Sequence, residues 1–127
     1  MIYVYKGVAK DVEIVFLKTV SALIKVSNLP KNVYIEIVPA PSVAVGDGLS
    51  GLGFGVFVDS EDYSTIAIAG KYCNEMKQEG LSRKEWLCTL PEIIVHEWAH
   101  MEQWRDGKKL NHKGITKRTK ELLKVIS

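Results

Sequence analysis

The stretch Ile93-Ile94-Val95-His96-Glu97-Trp98-Ala99-His100-Met101-Glu102-Gln103-Trp104 decides how the chain is read. Advancing by about 100° per residue, as an α-helix does, puts Glu97, His100, Gln103 and Trp104 on or beside the face of His96. Ile94, Trp98, Met101 and Arg105 fall opposite. The spacing therefore predicts a helix with a polar site face and a mainly apolar core face. Two histidines and a glutamate on a face that ought to be buried require partners, because unpaired buried polar groups are costly.

The flanks of this stretch carry helix punctuation. Ser82-Arg83-Lys84-Glu85 has the form of a capping box, and Thr89-Leu90-Pro91-Glu92 repeats the device, with Pro91 expected in a first turn where its missing N–H costs nothing. A helix starting there should end near Asp106-Gly107, and a last helix is expected over about 116–125. Upstream, residues 2–5 are β-prone. Val12, Val15, Phe16, Thr19, Val20 and Leu23 then repeat at helical spacing, with Asp11 as the expected N-cap. Asn28-Leu29-Pro30 ends that helix, and residues 33–38 alternate as a half-buried strand does.

Residues 39–55 are rich in Gly and Pro and predict a loop or hairpin. Gly46-Asp47-Gly48-Leu49-Ser50-Gly51 matches the dinucleotide-binding pattern in letters only. That pattern needs a helix opening at its third glycine, whereas here the glycines run into Phe54-Gly55-Val56-Phe57-Val58, a further strand. Residues 65–69 alternate again and are expected as another strand.

At 127 residues the chain is long enough for one domain, 1–127, and short for two. With 46% apolar and 25% charged residues it belongs to the globular class and not to the disordered one. No basic segment precedes an apolar run at the start, and no stretch reaches the roughly 18 apolar residues of a membrane helix, so a cytoplasmic location without membrane contact is expected. Cys73 and Cys88, fifteen positions apart, are expected as buried reduced thiols. Net charge is only +2, yet eight Lys or Arg face two acids between Arg105 and Lys124. Lys108, Lys109, Lys113, Lys117, Arg118, Lys120 and Lys124 are thus a candidate nucleic-acid contact, or simply a solvated face.

His-Glu-x-x-His has a specific chemistry. Residues i and i+4 of a helix aim two imidazoles at one point, which supplies two of the three protein ligands of a catalytic zinc. The intervening glutamate, here Glu97, would not be a ligand: it takes a proton from water during attack on a scissile carbonyl and passes it to the leaving amine. His112, the remaining histidine, follows a Gly107 that lets the backbone turn back, and is the preferred third ligand. Glu121 is the rival, giving a two-His, one-Glu site, or a solvent-facing partner of Lys117 or Lys124. Tyr63, Tyr72 and His112 carry groups able to serve an oxyanion, and the sequence does not choose among them.

Residues 96–115, HEWAHMEQWRDGKKLNHKGI, resemble the SprT-like metalloprotease signature at His96, Glu97, His100, Gly107, Lys108 and His112. Gly53-Phe54-Gly55-Val56-Phe57 and Ile66-Ala67-Ile68-Ala69 resemble the glycine-bearing strand and the strand before the motif helix in that family. The resemblance covers about residues 50–122. Lys113 stands where family members often have glycine directly after the histidine, and the cysteine-rich zinc ribbon of many members is missing. A second resemblance is to the minigluzincins, which would use a downstream Glu as third ligand. The resemblance implies an α+β, zincin-like fold: a small twisted mixed sheet of about four strands packed on helices, with the motif on a central helix and an edge strand above it, for which residues 65–69 are the candidate. It also implies one catalytic zinc ion, endopeptidase activity and a protein or peptide substrate. The alternative is a latent or non-catalytic metal-binding module whose basic tail meets nucleic acid or a protein partner.

Overall fold

In the computed structural model, which describes residues 1–45, 51–60, 62–108 and 114–127, the elements run in the order β1 (Ile2–Val4), α1 (Lys10–Val26), β2 (Val33–Val38), β3 (Val43–Val45), β4 (Gly51–Gly53), β5 (Gly55–Asp59), β6 (Ser64–Ala69), α2 (Asn74–Gln78), α3 (Arg83–Arg105) and α4 (Ile115–Ile126). The architecture is α+β. Four strands form a mixed sheet in the order β1-β2-β6-β5, parallel except for β5, which runs antiparallel to β6. The strands β3 and β4 pair as a separate antiparallel ribbon that packs on β5 and β6.

Alternation sets which sheet face is covered. Ile35 lies level with Ile2 and Ile66, and Ile37 with Val4 and Ile68, so one face presents rows of branched side chains across neighbouring strands. Val33, Ile35, Ile37, Ile66 and Ile68 are fully buried there. The helices cover them with Phe16, Val20 and Leu23 of α1 and Leu90, Ile94, Val95, Trp98 and Met101 of α3. Leu122 of α4 joins the same cluster.

The long helix α3 differs from the expectation in one respect. Its capping box is the upstream one: Glu85 N–H donates to the Ser82 hydroxyl at 3.0 Å and Ser82 N–H to the Glu85 carboxylate at 3.4 Å. The helix then continues through Pro91, which is interior rather than first-turn. Thr89 caps nothing and bonds back to the Trp86 carbonyl at 2.6 Å. At the far end Gly107 has φ +73°, with Lys108 N–H on Gln103 O and Gly107 N–H on Trp104 O, which is the Schellman arrangement. The expected stop at Asp106-Gly107 is thus observed.

A polar knot ties three helix segments together. Arg118 of α4 donates to the buried Glu102 carboxylate through Nε at 2.6 Å and Nη2 at 2.8 Å. The Ser27 hydroxyl, just past α1, donates to the same carboxylate at 2.6 Å and accepts from Trp98 Nε1 and Arg105 Nη1. One donor and two acceptor positions are all a hydroxyl has, so Ser27 is saturated. Burial alone would push the Glu102 carboxyl up, but the bonds from Arg118 and Ser27 outweigh it and hold the group below its ordinary range.

Smaller expectations change as well. The edge beside α3 is β5, while β6 (the 65–69 strand) is paired on both sides. Asp11 lies inside α1, where it bonds the Val12 N–H and pairs with Arg83, and Ala9 occupies the N-cap. Both cysteines are free, Cys73 half-buried but Cys88 exposed. Of the glycine-rich string, residues 46–50 lie outside the described residues. Among the described residues no helix is long and apolar enough to cross a membrane.

Candidate functional site

His96, Glu97 and His100 sit in the middle of α3, each held by the apolar residues opposite. Ile94, Trp98 and Met101 are at most 1% exposed, which fixes the helix's rotation and turns the two histidines toward its outer face. The imidazoles are one turn apart, with ring centroids 5.0 Å apart and planes at 78°. His96 Nε2 lies 4.0 Å from the Glu97 carboxylate.

Strand β5 runs alongside this helix in the same direction. Gly55 lies against Ile93 and Glu97, and two residues on Phe57 packs its ring on Trp104 at 5.8 Å. Because Phe54 O accepts from Ala69 N–H, the alternation of the strand turns the polar groups of Gly55 and Phe57 away from β6, toward the free edge. There the Phe57 N–H faces the Glu97 carboxylate and favours its charged form. Glu97 is 8% exposed, and burial pushes its carboxyl up to about 7, against the lesser downward pull of the Phe57 N–H.

The close approach of strand and helix depends on glycine. A Cβ at position 55 would stand 3.0 Å from Glu97 Cγ, 3.0 Å from Ile93 Cγ2 and 3.3 Å from Ile68 Cδ1. Beside this contact opens a cleft of about 270 Å³ lined by Phe54, Gly55, Glu92, Ile93, His96 and Glu97. Gly55, the Phe57 N–H and Glu92 are site features that reading along the chain missed. The available signal was a lone glycine inside a strand pattern, which marks close backbone approach.

The third-ligand candidates fare differently. Glu121 is exposed on α4 and pairs with Arg118 Nη1 at 3.3 Å. That same arginine grips Glu102 on the flank of α3 turned away from His96 and His100. Among the described residues no three His, Cys, Asp or Glu side chains are grouped to hold a metal. His112, Lys109 and Lys113 lie outside the described residues. The pair of imidazoles that is described has the donor type and helical spacing of two zinc ligands.

Of the other candidates, the Tyr72 hydroxyl donates to the Leu81 carbonyl, and Tyr63 packs edge-on against Tyr34. On α4, Lys117, Lys120 and Lys124 are exposed and share one face, opposite the buried Ile115, Thr119 and Leu122, while Lys108 is exposed past the end of α3. Arg118 is committed to Glu102 and Glu121 and belongs to the fold more than to that face.

Comparison of the chain with family models, with curated proteins and with solved structures finds no match.

Proposed function

We propose that the chain is a zinc-dependent endopeptidase in a zincin-like fold, of the SprT-like kind its motif resembles. The observation that carries this reading is the placement of Glu97: a buried carboxylate beside two imidazoles, packed against an edge strand and opening on a cleft. A glutamate desolvated to this degree has a proton affinity matched to neutral pH, as a general base requires. His96 and His100 would hold the metal, with His112 as the third ligand. A zinc ion so held supplies Lewis acidity toward a carbonyl oxygen and toward water.

The chain's own residues do the rest. Glu97 accepts the proton of the attacking water and delivers it to the departing nitrogen. The Phe57 N–H, facing the carboxylate, favours its charged form. The outward-facing groups of β5, rather than those of the 65–69 strand, are the edge along which an extended peptide would lie. The test is Glu97→Gln: zinc content should remain stoichiometric, while peptide cleavage should fall by at least about 100-fold, as loss of a general base does. Wild-type protein purified without chelator that holds no zinc would overturn the proposal.

A second reading rests on the lysine face of α4. Lys117, Lys120 and Lys124 form a stripe suited to a polyanion, in which case the chain is a binding module. Salt-dependent binding of DNA that is unchanged in Glu97→Gln, with no proteolysis by the wild type, would favour it.

A further inference from the structure

The cleft beside the motif has a composition that points to a substrate side chain. Its volume, about 270 Å³, lies below the roughly 300–1,000 Å³ of sites that enclose a whole small ligand. It is the scale of a single side chain. Phe54 and Ile93 supply apolar wall, and Gly55, lacking a side chain, keeps that part of the wall open. Glu92, one turn before His96 on the same face of α3, adds an acid.

Glu92 is chemically available. Among the described residues the ion pairs use Glu13, Asp11, Glu97, Glu102, Asp106 and Glu121, and no cation is paired with Glu92. An apolar wall leading to an open carboxylate fits a side chain with an aliphatic stem and a cationic head. Glu92 is exposed, so a neutral branched side chain would gain nothing from the acid, and an acidic one would face both Glu92 and Glu97.

We infer that this cleft is a specificity subsite for a lysine or arginine of the peptide substrate, with Glu92 as the residue that selects the positive charge. The inference rests on the peptidase reading and deepens it. Glu92 acts on binding and not on proton transfer, so its removal should move KM and leave kcat near the wild-type value.

The experiment uses two readouts on the full chain loaded with zinc. In the first, wild type, Glu92→Gln and Glu92→Lys are assayed on a peptide library varied position by position around the cleaved bond. Wild type should prefer Lys or Arg at one position. Glu92→Gln should lose about fivefold of that preference, through KM, and Glu92→Lys should turn it toward Asp or Glu. In the second, Glu97→Gln protein and Glu97→Gln/Glu92→Lys protein are titrated with fluorescent lysine- and glutamate-bearing peptides, which reads binding without turnover. Cleavage with no basic preference, or a preference untouched by Glu92→Lys, overturns the subsite and leaves the peptidase standing. Absence of cleavage together with absence of charge-selective binding overturns both.

Discussion

Gly55 lies so close to Glu97 that a Cβ on it would stand 3.0 Å from Glu97 Cγ, which joins the free edge of the sheet to the centre of the motif helix. The burial that would suit the proton acceptor proposed above also makes the charged form of Glu97 expensive to the fold.

That cost predicts a pH signature in the metal-free protein. Glu97 rises from an ordinary value of 4.5 to about 7 on folding, which corresponds to about 3 kcal/mol. For a group raised in the folded state, the favourable contribution is complete below the unfolded value and disappears as pH climbs through the folded one. Stability of the metal-free chain should therefore fall between about pH 4.5 and 7. Glu97→Gln should flatten this part of the profile and be more stable than wild type at pH 8 by about 1–3 kcal/mol. Urea unfolding of both proteins across the range measures it, and parallel profiles would contradict the burial argument.

Gly55→Ala tests the helix–strand contact. The new methyl would meet Glu97 Cγ and Ile93 Cγ2 at 3.0 Å, so those side chains must give by a few tenths of an ångström, which in a packed contact costs about 1–3 kcal/mol. Thermal unfolding should show the loss, and Ile93→Ala in the same chain should recover part of it. If Gly55→Ala were as stable as wild type with cleft and activity intact, the tight approach would not be needed.

The Glu102–Arg118 pair should respond asymmetrically. Arg118 reaches solvent, with its side chain 41% exposed, whereas that of Glu102 is 7% exposed. Arg118→Ala leaves the buried carboxylate with only Ser27 and the more distant Arg105 and should cost about 2–4 kcal/mol, discounted for the exposed partner. Glu102→Gln frees an arginine that can turn to water and should cost less, about 1–2 kcal/mol. Wild type loses the pair only as pH falls through the lowered value of Glu102, below the ordinary 4.5. The penalty of Arg118→Ala should shrink in that acidic window. Equal penalties for the two variants at pH 7 would argue against the asymmetry.

These outcomes also mark where sequence patterns hold and where they stop. The alternation of residues 33–38 and the opposed faces of α3 are local periodicities, and burial of Ile35, Ile37, Ile94 and Trp98 follows them. Thr89-Leu90-Pro91-Glu92 has the same local form as a helix start. Yet α3 was already under way from Ser82, and burial of Leu90, Ile94 and Val95 outweighs the roughly 3 kcal/mol that an interior proline costs. Strand order is non-local: 54–58 and 65–69 both read as strands, and no spacing along the chain says that β6 lies inside and β5 at the edge. The motif was legible, but the neighbours that pack against Glu97 come from β5, some forty residues earlier.

The third ligand yields the sharpest contrast between the two resemblances. A glutamate ligand would have to come from Glu121, which is paired with Arg118 on the side of α3 away from the imidazoles. Recruiting it would break that pair and turn the side chain around α4. Under the proposed three-histidine set, His112→Ala should weaken zinc binding by more than about 100-fold, since loss of even an outer-shell partner costs 10–100-fold. Glu121→Ala should leave affinity within about twofold. Competition titrations against a chromophoric chelator measure both variants on the same scale. The reverse ordering, with Glu121→Ala losing the metal and His112→Ala keeping it, would replace His112 by Glu121 and move the chain from the SprT-like pattern to that of the minigluzincins.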